Sequence, residues 1–176
     1  ILLKLGTYAM LRFLIPLFPI ASFYFTPFVF LLGSLGVIYA SLATLAQVDL
    51  KKIVAYSSVA HMSFVVLGLF SFSFQGILGS IFLMLSHGFV SAGLFFLVGF
   101  LYERYKTRLL LYYGGLQSLM PVFCFYLLSF SLANLSLPGT SSFIGEVLIF
   151  IGLIFSNSVI VVLSSSTMVF SAGYSL

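Results

Sequence analysis

Long apolar segments, each about the length of a helix that crosses a bilayer, make up almost all of this sequence. An α-helix rises 1.5 Å per residue, so about 20 apolar residues cross a hydrocarbon core of about 30 Å. Strands of a membrane barrel would instead alternate in polarity over about ten residues, and no such alternation occurs. We therefore predict an all-α, polytopic transmembrane helical bundle of about six spans. The predicted spans are residues 1–17, 27–46, 53–70, 77–102, 119–155 and 159–176, in a single transmembrane unit over residues 1–176.

The composition supports the same conclusion. The chain is 62% hydrophobic and 6% charged, whereas a globular domain carries about 25% charged residues. Such a chain cannot cover a water-facing surface, so we expect a multi-pass membrane protein surrounded by lipid. The net charge of +4 does not indicate a nucleic-acid partner, because the basic residues lie between apolar spans. The single cysteine, Cys124, cannot form an internal disulfide.

The basic residues predict the orientation of the spans. Alternating crossings place links 47–52 and 103–108 on one side of the membrane, which we predict to be the matrix or cytoplasmic side. The links on the opposite side, 18–26, 71–76 and 156–158, carry no charge. The alternative, a chance clustering of the charges, stays open. Five of the seven basic residues lie in the first pair of links: Lys51, Lys52, Arg104, Lys106 and Arg108.

Four ionisable residues interrupt the apolar segments: Lys4, His61, His87 and Glu146. A charge in hydrocarbon costs roughly 3 kcal/mol or more, so such residues usually face a bundle interior or a wet cavity. Side chains that can take up and release protons inside a membrane are typical of proteins that move ions or protons across it. Lys4 has two interpretations, since it is either an interfacial anchor or a buried group that takes up and releases a proton.

The two histidines are expected to face each other. Their spans are joined by a short link and must be antiparallel neighbours, so His61 and His87 fall at similar depth. Ser57 lies on the helical face of His61, and Ser80, Met84 and Ser91 lie on that of His87. We predict a water-bridged proton relay, with hydrogen-bonded packing as the alternative. A metal site is not expected, because no Cys or carboxylate lies beside them at ligand spacing.

The fifth span contains a predicted helix break at Pro138-Gly139. Proline removes a backbone hydrogen bond and clashes with the preceding turn. Broken helices at membrane depth line wet cavities and mark transport sites. We expect Thr140, Ser141 and Ser142 to cap the restarted helix, with Glu146 near its first turn, where the helix dipole favours an anion. We also expect a few waters to bridge Glu146 and His87. The alternative is a simple kink with Glu146 in a structural ion pair.

Sequence signals of other chemistry are absent. The chain has no glycine-rich phosphate loop, no nucleophile elbow and no cysteine cluster for iron–sulfur ligation. We expect no cofactor and no redox chemistry in this chain.

Four sequence segments together resemble the antiporter-like membrane subunits of proton-pumping NADH:ubiquinone oxidoreductase, respiratory complex I. This family is shared with Mrp-type sodium/proton antiporters, and the resemblance covers essentially the whole chain. The segments are ILLKLGTYAMLRF, DLKKIVAYSSVAHM, SIFLMLSHGFVSAGLFFLVGFLYERYKTR and ANLSLPGTSSFIGE.

The resemblance implies a fold of fourteen helices with two inverted five-helix repeats. This chain would match the middle of the eighth through the thirteenth helix, which is most of the second repeat. In that family Lys4 is the central protonatable lysine, His61 and His87 continue the hydrated axis, and Glu146 lies on the second broken helix. Val147 departs from the family, which often has an aromatic residue there. Without the first repeat and the last helix, the chain alone would form at most a half-channel.

The resemblance also implies the function. We expect proton translocation as part of a membrane-arm subunit of an NADH:ubiquinone reductase. NADH, flavin, iron–sulfur clusters and quinone would bind in partner subunits, and neighbouring antiporter-like subunits would be further partners. The mitochondrial inner membrane is the expected location, with plastid and bacterial membranes as alternatives. A freestanding Mrp-type cation/proton antiporter subunit and a purely structural membrane subunit remain as alternative functions.

Overall fold

The computed structural model describes residues 2–175, and most of these are helical. The predicted all-α class is confirmed, because the described residues contain no sheet and only one isolated bridge, between Asp49 and Leu109. Four helices, Thr26–Leu45, Leu50–Phe70, Phe74–Tyr105 and Ser158–Ser175, are each long and apolar enough to cross a membrane, while Pro121–Asn134 and Ser141–Ser156 are shorter apolar helices. The helices in chain order are α1 (Leu2–Ala9), α2 (Ile15–Leu17), α3 (Pro19–Tyr24), α4 (Thr26–Leu45), α5 (Leu50–Phe70), α6 (Phe74–Tyr105), α7 (Leu116–Leu119), α8 (Pro121–Asn134), α9 (Ser141–Ser156) and α10 (Ser158–Ser175).

The first span contains a proline and still ends where the sequence predicts. Helix α2 runs through Pro16 and ends at Leu17, the predicted end of the span. A π-helical stretch, Met10–Leu14, separates α1 from α2. A proline inside a helix lacks an N–H group and clashes with the carbonyl four residues earlier. The wider π turn just before Pro16 accommodates that proline and lets the helix continue.

The long helix α6 forms the centre of the bundle. It packs against α5, α8 and α9, while α4 packs against α5 and α10. At 1.5 Å per residue its 32 residues extend roughly 48 Å, so its charged end projects beyond the hydrocarbon core. The core side chains that are fully buried include Val37, Val65, Leu83, Ile149 and Leu153.

Glycines bring α6 and α9 into close contact. A Cβ atom at Gly145 would lie 2.9 Å from both the Cβ and the backbone nitrogen of Leu83, and one at Gly79 would lie 2.7 Å from the Cβ of Leu148. Lipid tails are as apolar as leucine, so helices in a membrane associate through such tight packing and not through the hydrophobic effect. This contact fixes the position of Glu146, the next residue after Gly145.

The two charged links meet at one end of the bundle. The Leu50 amide donates to the Arg108 carbonyl at 3.1 Å, and the Leu110 amide donates to the Val48 carbonyl at 3.1 Å. Helix α5 begins at Leu50, three residues before the predicted span, so Lys51 and Lys52 belong to its first turn. These hydrogen bonds place the basic residues of both links at the same end, as the orientation argument requires. Which compartment that end faces stays a prediction.

The outer surface of the bundle is strongly apolar. Ile20 is 86% exposed, Phe89 78% and Phe155 77%. Exposed apolar surface on this scale is incompatible with water and suits contact with lipid or with other membrane helices. The multi-pass membrane location inferred from composition therefore agrees with the folded shape.

Candidate functional site

His61 and Glu146 form a buried pair at the centre of the bundle. The Nδ1 atom of His61 on α5 lies 3.2 Å from the Oε1 atom of Glu146 on α9, and each side chain is 8% exposed. Burying a carboxylate costs free energy unless a hydrogen-bonding or oppositely charged partner faces it. Glu146 is five residues beyond Ser141, where α9 begins, so it lies past the first turn in which a helix dipole acts. The expected dipole contact is therefore wrong, and His61 is the group that faces the carboxylate.

His87 lies directly against His61, as their expected matching depth requires. The two imidazole rings have centroids 4.9 Å apart and are tilted by 41°. His87 is 3% exposed, and its Nε2 atom has no hydrogen-bond partner within residues 2–175. We expected a few waters between Glu146 and His87. The structure instead places the imidazole of His61 between them.

Lys4 reaches the same row of side chains through a serine. Its Nζ atom donates to the Oγ atom of Ser91 at 2.9 Å. Ser91 lies four residues after His87 and therefore on the same face of α6. Thr7, one turn beyond Lys4, donates to the Sδ atom of Met84 at 3.0 Å and fixes α1 against α6. These contacts lie near the middle of α6, so the Lys4 ammonium lies at the depth of the middle of that helix, which argues against the anchor interpretation.

The predicted helix break is present. Helix α8 ends at Asn134 and α9 begins at Ser141, with Gly139 at a φ of 100° between them. The expected caps are wrong, because Thr140 makes no side-chain cap hydrogen bond. Thr140 instead donates to the Leu137 carbonyl at 2.8 Å, and Ser142 donates to the Ala133 carbonyl. The hydroxyls are used this way because the broken end of α8 leaves carbonyls without helical donors, which must be satisfied in a membrane.

The break also buries unpaired polar atoms. The Oδ1 atom of Asn134 and the Oγ atom of Ser136 are buried without a hydrogen-bond partner in the described part of the chain. Buried water typically binds to polar groups of this kind. These atoms give the break part of the polar lining that our hypothesis of a wet site needs.

Sequence reasoning missed Tyr174 on α10. Its hydroxyl lies 3.5 Å from the Nε2 atom of His61, on the opposite side of the ring from Glu146. A signal was available, because Ser164, Thr167, Ser171 and Tyr174 recur at three- and four-residue spacing and form one helical stripe. We predicted residues 159–176 as a span and no functional residue within it.

A small polar cavity joins α10 to the buried pair. Its volume is about 10 Å³, which is near the smallest space that holds one water molecule. The cavity places hydroxyl groups of α4 and α10 beside the imidazole and the carboxylate. It is lined by Ser41, Ala60, His61, Phe64, Glu146, Thr167, Ser171 and Tyr174.

The site brings polar side chains from five helices together. His61 on α5, His87 on α6 and Glu146 on α9 form the buried centre of one row, and half-buried Lys4 on α1 and Tyr174 on α10 lie at its edges. Imidazole has two nitrogen atoms and can receive a proton on one while releasing it from the other. Within residues 2–175 no three His, Cys, Asp or Glu side chains are placed to hold a metal ion.

Comparisons with known proteins agree with the resemblance seen in the sequence. The chain is 60% identical over 176 residues to NADH-ubiquinone oxidoreductase chain 4 of Marchantia polymorpha, covering 100% of this chain and 36% of that protein. It is 46% identical to NADH-quinone oxidoreductase subunit M of Rhodobacter capsulatus, covering 100% of this chain and 34% of that protein. The chain thus spans about a third of the length of the curated relatives it matches.

A solved structure supports the fold. A chain of respiratory complex I from Thermus thermophilus with bound NADH superposes with a TM-score of 0.94 at 33% identity, covering 97% of this chain and 36% of that chain. Residues 1–171 match the family model described as NADH:quinone oxidoreductase/Mrp antiporter, TM. The chain therefore belongs to the NADH:quinone oxidoreductase/Mrp antiporter family of membrane proteins.

Proposed function

We propose that this chain carries protons through an energy-transducing membrane, as part of a membrane-arm subunit of NADH:ubiquinone oxidoreductase. The single observation that carries the proposal is the direct contact between His61 and Glu146, with His87 against the same imidazole. Three buried titratable groups in contact are costly for a structural role alone. The same groups are suited to passing a proton along the row.

The proton path runs across the middle of the bundle. Lys4 and Ser91 form one end of the row, and His87 and His61 form its centre. When the Nε2 atom of His61 takes up a proton, the ring can release the proton on its Nδ1 atom to the carboxylate of Glu146. The Tyr174 hydroxyl, 3.5 Å from Nε2, orients the ring between these steps. Moving each proton against 100 mV requires about 2.3 kcal/mol, which partner subunits must supply.

Membership of this family also supports a proposal for the partner subunits and for the membrane in which the chain lies. NADH oxidation and quinone reduction would occur in other subunits, which would hold the flavin and the iron–sulfur clusters. Neighbouring antiporter-like subunits and the rest of this subunit would flank the chain. The relatives in Marchantia and wheat are each 60% identical and the bacterial relative is 46% identical, which favours the mitochondrial inner membrane. The names of these relatives refer to NADH oxidoreductases, which argues against the alternative of a freestanding Mrp-type antiporter.

The test is Glu146→Gln in the assembled complex, reconstituted into liposomes. Glutamine keeps the size and a hydrogen-bonding oxygen of the side chain but cannot carry a proton. We expect NADH-driven proton uptake to fall while assembly is retained. Glu103→Gln is the matched control, because Glu103 is an exposed carboxylate in the last turn of α6. Equal proton uptake in the two fully assembled variants would refute the proposal.

A further inference from the structure

A groove opens at the charged end of the bundle, away from the proton row. It lies between the first turn of α5 and the last turns of α6 and has a volume of about 230 Å³. Its wall toward the membrane interior is formed by Phe95, Val98 and Gly99. Lys51, Tyr102 and Arg108 surround its polar end. The groove therefore combines an apolar wall with two cations at the end that carries the basic links.

A backbone hydrogen bond and a stacked ring bring the two cations to the same groove. Arg108 and the start of α5 are tied by the hydrogen bond from the Leu50 amide to the Arg108 carbonyl, at 3.1 Å. The guanidinium of Arg108 also lies over the Tyr102 ring, 4.6 Å from its centroid. Such stacking fixes the orientation of the planar guanidinium. Lys51 is thus held beside a positioned arginine.

Neither cation is neutralised by the described residues. Within residues 2–175, no carboxylate lies within 4.0 Å of the Lys51 or Arg108 side chain. The nearby Lys52 differs, because its Nζ atom lies 3.2 Å from the Oδ2 atom of Asp49. Two unpaired cations that share one groove favour an anionic ligand.

We propose that this groove binds one anionic phospholipid. Its phosphate lies between the Lys51 ammonium and the Arg108 guanidinium, and one acyl chain follows Phe95, Val98 and Gly99. Charge complementarity selects the headgroup, since basic pockets between membrane helices on the matrix or cytoplasmic side bind anionic headgroups. The apolar wall selects a lipid over a soluble phosphate. A Cβ atom placed at Gly99 would meet no other atom within 4 Å, so the groove has open space where the chain would lie.

The test uses photoactivatable lipids with the purified, assembled complex in nanodiscs. The probes are phosphatidylglycerol and phosphatidylcholine that carry the same diazirine on an acyl chain. We expect phosphatidylglycerol to label the peptide that contains residues 95–102 several-fold more than phosphatidylcholine does. Equal labelling by the two lipids, or no labelling of this peptide, would overturn the proposal.

Variants separate the headgroup from the acyl chain. Lys51→Gln combined with Arg108→Gln should remove the preference for phosphatidylglycerol, whereas Lys106→Gln, on the same link but outside the groove, should retain it. Gly99→Leu should fill the groove and lower labelling by both lipids without disturbing a packed neighbour. NADH oxidation by each complex reports assembly independently of lipid binding. Loss of the preference in Lys106→Gln, or full labelling of an assembled Gly99→Leu complex, would refute the site.

Discussion

The Nδ1 atom of His61 and the Oε1 atom of Glu146 lie 3.2 Å apart, and each side chain is 8% exposed. A buried pair of this kind can serve stability, proton transfer or both. Removing one partner leaves an uncompensated buried group, whereas replacing both partners can be nearly neutral. Stability and transport can therefore be separated by changing the pair together.

The first prediction uses this asymmetry. Glu146→Gln and His61→Gln should each lower the thermal stability of the assembled complex, because the remaining partner then faces an amide in place of the group it pairs with in the wild type. The double variant should recover part of that stability, with a coupling of about 0.5–3 kcal/mol, since the two amides can hydrogen-bond each other. Proton pumping should stay low in all three variants. If pumping returns with stability in the double variant, the pair is purely structural.

The second prediction concerns Tyr174. Tyr174→Phe removes the hydroxyl that lies 3.5 Å from His61 and leaves the ring in place. Losing one hydrogen bond costs about 1 kcal/mol, so we expect the proton-pumping rate to fall roughly fivefold with assembly unchanged. Tyr126→Phe is the matched control, because Tyr126 is 52% exposed and lies outside the row. The same rate in both variants would exclude Tyr174 from a positioning role.

The third prediction tests the packing that holds Glu146 in place. Gly145→Ala places a Cβ atom 2.9 Å from Leu83, so α9 must shift away from α6. Such overpacking costs roughly 1–3 kcal/mol, and it should lower the melting temperature and the pumping rate together. Gly88→Ala is the control on α6, since its Cβ atom would meet open space. Equal melting temperatures would mean that the α6–α9 contact is looser than the structure indicates.

The fourth prediction concerns sidedness. Single cysteines at positions 51 and 106, in a background that carries Cys124→Ser, should react with an impermeant reagent from the same side of sealed vesicles. The hydrogen bonds between the two links place both positions at one end of the bundle. The reagent should reach both from the side that corresponds to the matrix or cytoplasm. Labelling from opposite sides would show that a crossing has been miscounted.

The fold was predictable where a single segment carries the signal. The lengths of the apolar runs predicted the long helices α4, α5, α6 and α10, and Pro138-Gly139 predicted the interruption between α8 and α9. The short link between α5 and α6 predicted that His61 and His87 would face each other. Each of these features depends only on residues within one segment or on two segments that follow each other in the chain.

Features that depend on distant contacts were not predictable. The contact of Glu146 with His61 requires α9 to sit against α6, which follows from the glycine contacts at Gly79 and Gly145. Tyr174 reaches the row only because α10 packs against α4 and α5. Its polar stripe was visible, but serines in a membrane helix also satisfy their own backbone, so the stripe alone did not indicate a site.

The most direct test of the proton row is the number of protons pumped per NADH oxidised in a Lys4→Ala complex. Lys4 donates to Ser91 at one end of the row, at 2.9 Å, and is the lysine of the row. Arg12→Ala, at a cation in the same first span but outside the row, provides the control. If protons move along the row, the number of protons pumped per NADH should fall in a fully assembled Lys4→Ala complex and stay unchanged in Arg12→Ala. A wild-type ratio in the assembled Lys4→Ala complex would contradict the proton path.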